Sequence, residues 1–78
     1  MDEDTASLRL CLLSRAEELQ HILSVGIEDA DWYQIASDCY VWLDSIVESE
    51  RTPEEVSQRQ RLLELTSGYE EQHYRFGN

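Results

Sequence analysis

His21 follows Glu17 by four residues and Glu18 by three, and on a helix these side chains share a face. A metal site there would need at least one more ligand at close range. The chain has only two histidines, so a solvated helix face is the expectation and no metal is assigned. His73 has Tyr69, Glu70 and Tyr74 beside it, but no Ser or Cys is joined to it by a catalytic motif. Glu28, Asp29 and Asp31 hint at a calcium loop, yet Gly26 precedes the acids instead of dividing them. Helix capping is the better account of those acids. Cys11 and Cys39 are expected to be reduced core thiols. The sequence therefore points to no enzyme, no catalytic residue and no cofactor.

The aromatic residues are the stronger signal. Trp32, Trp42, Tyr33, Tyr40, Tyr69, Tyr74 and Phe76 are a heavy load for a chain of 78 residues. They require elements that bury some of them, and those elements must hold together against unusual charge. Asp and Glu number 17 against six Arg, with no Lys, for a net charge of -11. An apolar content of 41% is too high for a disordered acidic tail, so a folded domain is expected. The charge excludes direct binding of nucleic acid, which needs cations for the phosphates. It also argues against anionic membrane surfaces. No apolar run approaches the length of about 18 residues that a membrane span needs. The acidic opening Met1-Asp2-Glu3-Asp4 does not resemble a secretion signal, so a cytosolic protein is expected.

Three helices are predicted, at about 5–24, 30–48 and 53–75, in one domain over residues 1–78. In the first, Leu8, Leu12, Leu19 and Leu23 form an apolar stripe, with Gly26 just past the end. Leu10 and Leu13 fall outside that stripe, on the polar side. The second has Asp29 as N-cap and an apolar arc covering about half its circumference, the pattern of a central helix. The third opens on Thr52-Pro53-Glu54-Glu55, a capping box with Pro in the first turn. Val56, Leu63 and Tyr74 make one stripe on it; Leu62, Leu65, Tyr69 and Phe76 make another. Short loops make neighbouring helices antiparallel. The expected fold is all-α, an up-down-up three-helix bundle.

Such a bundle cannot cover both stripes of the third helix and the whole arc of the second. Surplus apolar surface rimmed by charge marks a protein–protein site. Tyr40, Trp42, Leu62, Tyr69 and Phe76 are the expected partner-binding residues, lying at arc edges or on the second stripe. The expected partner is another protein, seated in an apolar helical groove. A small domain that buries only about 60% of its unfolded surface gains from such cover. A second copy of the chain would offer the same cover.

The layout resembles flagellar export chaperones of the FliT type, which serve type III secretion. The resemblance rests on Leu8, Leu12, Leu19 and Leu23, then Asp31-Trp32, then a proline-capped helix carrying Leu62-Leu63. It implies a small cytosolic helical chaperone that holds the helical end of an export substrate. The chain departs from that pattern in its acidity, its lack of Lys and its lack of room for a fourth helix. The alternative from another class is an acidic inhibitor, such as a phage-encoded anti-defence protein, that imitates DNA in a basic groove.

Overall fold

The structure is a computed structural model that describes residues 3–73. Every regular element among them is helical: α1 (Glu3–Ser14), α2 (Ala16–Val25), α3 (Ala30–Ser45), one 3₁₀ turn (Glu48–Glu50) and α4 (Pro53–His73). The chain is all-α, but the single first helix expected from the sequence is two helices. The break falls at Arg15, whose φ of -116° and ψ of 21° leave the helical region. Ser14 Oγ donates to the Cys11 carbonyl at 2.6 Å, and Arg15 N–H bonds the Leu12 carbonyl three residues back. A hydroxyl that bonds the preceding turn competes with the backbone ladder and bends a helix. The Arg15 carbonyl then accepts from Leu19 N–H and starts α2.

The later helix starts follow their caps. Trp32 N–H donates to Asp29 Oδ1 at 3.0 Å and opens α3. Glu55 N–H donates to Thr52 Oγ1 at 3.1 Å, and Thr52 N–H donates back to Glu55 Oε1 at 2.9 Å. The capping box of α4 is thus formed in both directions. Between α2 and α3, Gly26 adopts a φ of 91°, where a side chain would be strained.

The expected second helix ends earlier than residue 48. At Ile46 the backbone turns extended, which sends that side chain into the core. Arg51 reaches back to the exposed end of α3. Its Nε donates to the Leu43 carbonyl at 3.1 Å and its Nη2 to the Asp44 carbonyl at 2.8 Å. These are carbonyls a helix end cannot satisfy internally.

α3 is the central element and packs on α1, α2 and α4, as its broad arc predicts. Its Ala36, Cys39 and Leu43 meet Leu12 of α1, Leu19 and Ile22 of α2, and Leu62 of α4 in one core. Cys39 is fully buried, and burial pushes its thiol up to about 11. We expect Cys39 to resist alkylation at pH 8 in the folded protein and to react on unfolding in urea. Mass spectrometry of iodoacetamide-treated protein reads this directly. Rapid native modification of Cys39 would contradict the packing described here.

Candidate partner-binding surface

α4 decides which apolar side chains stay available. It turns the stripe of Leu62 and Leu65 inward and leaves Val56 and Leu63 on the outside. This reverses the sequence expectation. Leu62 has 0% exposure and belongs to the core, so the expectation that it stays partly open is corrected. The physical reason is register. Leu62 and Thr66 lie one turn apart on the face that α3 covers, whereas Leu63 is rotated by about 100°.

Tyr40 and Trp42 are half-buried and pack against the core from its edge. The Arg59 guanidinium lies 5.4 Å from the Tyr40 ring centroid, and its Nη2 reaches the Tyr40 hydroxyl at 3.5 Å. The Asp44 carboxylate bonds Arg59 at 2.7 Å and holds its pKa above the ordinary arginine value. Tyr69 is half-buried and stacks between Tyr33, at 4.9 Å, and His73, at 4.1 Å. The Tyr33 hydroxyl donates to Glu70. Phe76 and Tyr74 lie outside the described residues. The structure therefore separates the predicted set: Tyr40 and Trp42 lie on α3, Tyr69 lies at the far end of α4, and Leu62 lies inside.

His21 makes its contacts with residues beyond its own helix. Its ring stacks on Trp32 at 4.4 Å, and its Nε2 meets Glu28 Oε1 at 2.5 Å. Among the described residues, no group of three or more His, Cys, Asp or Glu converges as metal ligands.

Two features escaped the sequence reading as site elements. The first is a pair of exposed leucines on α1: Leu10 is 66% exposed and Leu13 is 69% exposed. Their spacing of three places them on one outward face. Their position off the core stripe was legible, but the stripe alone did not show that Leu13 lines a groove. The second is that groove, an open cleft of about 320 Å³ between α1–α2 and the start of α4. Leu12, Leu13, Ala16 and Leu19 supply its apolar wall, and Thr52, Glu54, Glu55 and Gln58 supply the opposite rim. The break at Arg15 lies within this wall, between Leu13 and Ala16.

Two residues lining the cleft, Arg9 and Glu55, form a polar clamp across it. Arg9 Nε donates to Glu55 Oε2 and its Nη2 to Glu55 Oε1, both at 2.9 Å. Nη2 also donates to the Glu50 carbonyl at 2.8 Å. Buried Thr5 donates to Glu50 Oε2 at 3.0 Å. Glu55 thus serves the α4 cap and the pair with α1 at once. The Arg9 hydrogen bond, with the Thr52 backbone N–H helping, holds the Glu55 carboxyl below its ordinary range.

All five described arginines are engaged with carboxylates: Arg9 with Glu55, Arg15 with Glu18, Arg51 and Arg59 with Asp44, and Arg61 with Glu64. No helix of the described residues is long and apolar enough to cross a membrane. Compared with protein families, curated proteins and solved structures, the chain matches none.

Proposed function

We propose that this protein binds another protein and holds a helical segment of it, as an export chaperone or adaptor does. One observation carries the reading: Leu13 lines an open cleft with an apolar wall, and Leu13 and Leu10, one turn before it on α1, stand mostly in water. The chain has one small core, and leaving large leucines outside it at helical spacing supplies a contact surface. Half-buried Tyr40, Trp42 and Tyr69 extend the apolar surface elsewhere on the molecule. The resemblance to FliT-type chaperones agrees with this role, and the same reading places the protein in the cytosol, where its free thiols persist. It assigns no catalytic role.

The competing reading is an acidic DNA mimic. The net charge of -11 favours it, with 17 acids against six Arg. Against it, the exposed carboxylates are spread over all four helices, whereas the exposed leucines Leu10 and Leu13 sit together on α1. Salt separates the two. Surface charge is screened beyond about 10 Å at 0.1 M salt, whereas apolar contacts survive. The test captures the partner from the native host and titrates the purified complex from 50 to 500 mM salt. Retention of affinity within about tenfold is expected. A loss of several orders of magnitude would favour the mimic.

A further inference from the structure

We propose that the occupant of the cleft between α1–α2 and the start of α4 is a basic amphipathic helix of another protein, with its apolar face seated on Leu13 and the cleft wall and reaching Leu10 outside it. This rests on the reading that the protein holds a partner's helical segment, and it names that segment's chemistry and its place.

The apolar half of the argument is geometric. Leu10 and Leu13 lie one turn apart on α1, and Leu13 continues into the cleft wall with Leu12, Ala16 and Leu19. A helix laid along this wall presents residues at spacings of three and four, which match such a row.

The charged half comes from the surroundings. Glu54 and Gln58 stand on the opposite rim, and exposed Glu17 opens α2 just past Leu13. Arg9 is the cation at the cleft, and its guanidinium is already engaged by Glu55 and the Glu50 carbonyl. A second copy of this chain is the wrong occupant, because it would bring a further net charge of -11 against the first. Lysine or arginine flanking an apolar face answers both features.

The experiment uses the full chain and three fluorescein-labelled synthetic 18-residue peptides. One carries Leu and Lys at helical spacing, one is the same composition scrambled out of that spacing, and one replaces each Lys with Glu. Fluorescence anisotropy at 150 mM salt reads affinity. The helical Leu–Lys peptide should bind at least tenfold more tightly than the scrambled one and the Leu–Glu one. L13D and L10D should each weaken it tenfold or more, while V41D, exposed on α3, stays within twofold. The Leu-to-Asp changes add negative charge, so an attraction that is only Coulombic would strengthen. Circular dichroism confirms the fold, and L13Q replaces L13D if the latter unfolds.

Equal binding of the scrambled peptide, or unchanged binding by the folded leucine variants, would overturn the proposal. Should the Leu–Glu helix bind as tightly as the Leu–Lys helix and both depend on Leu13, the basic partner is wrong but helix holding stands. Should neither helical peptide bind, the proposal fails, and the salt titration of the captured complex decides the broader reading separately.

Discussion

Leu62→Ala is expected to cost about 2–5 kcal/mol, the range for removing a fully buried leucine from a packed core. A domain of this size has a total stability of about 4–12 kcal/mol at typical values per residue. The variant should therefore lose a large share of its stability, and at the lower end of that range it should no longer unfold as one cooperative unit at room temperature. Leu62 has no exposed surface and sits with Leu43 and Cys39 of α3 in the core. Its neighbour Leu63 is 36% exposed, so Leu63→Ala should cost less. Urea unfolding followed by helical circular dichroism measures both. Equal losses for the pair would contradict the assignment of the inward face of α4.

The second large effect centres on Glu55. Thr52→Ala removes one half of the capping box and should cost about 1 kcal/mol. Glu55→Ala should cost more, because it removes the acceptor for Thr52 N–H and both oxygens that hold Arg9. Glu55→Gln separates these roles. Glutamine can still accept from Thr52 N–H, but it loses the charged, two-point bond to Arg9.

The pH dependence of this contact has a definite sign. The folded Glu55 carboxyl titrates below its ordinary value of 4.5, chiefly through the Arg9 bond. Its contribution is therefore present above about pH 4.5 and is lost as pH falls through the lowered folded value. The stability gap between the natural chain and Glu55→Gln should be constant near neutrality and close in acid. A gap that widens on acidification would show that the Arg9 pair is not its source.

Helix starts were legible in this sequence wherever a side chain makes the capping bond. Asp29 and the Thr52–Glu55 box each form the contact their position implies. The break at Arg15 was not legible. No Gly or Pro stands there, and the leucine stripe runs on across it, so local propensity favours one continuous helix. Ser14 bonding back to Cys11 and the packing of two separate segments on α3 decide the matter.

The candidate site was legible only in kind. Surplus apolar surface followed from the two stripes of α4, but a helical wheel cannot say which stripe meets α3. The Leu62 stripe won, which moved the open leucine on α4 to Leu63. Arg9–Glu55 joins residues 46 apart, and no local pattern announces such a pair. The stacking of Tyr69 on Tyr33, and of His21 on Trp32, likewise depends on how the helices dock.

Methyl-resolved NMR of leucine- and valine-labelled protein, titrated with the helical Leu–Lys peptide, tests the central claim that a partner is held through the apolar face of α1. The methyl signals of Leu10 and Leu13 are predicted to shift with one saturating curve, joined by cleft-wall Leu19, while Val41 on α3 stays in place. Unmoved Leu10 and Leu13 methyls at a peptide concentration where anisotropy shows the protein saturated would contradict a partner held through the apolar face of α1.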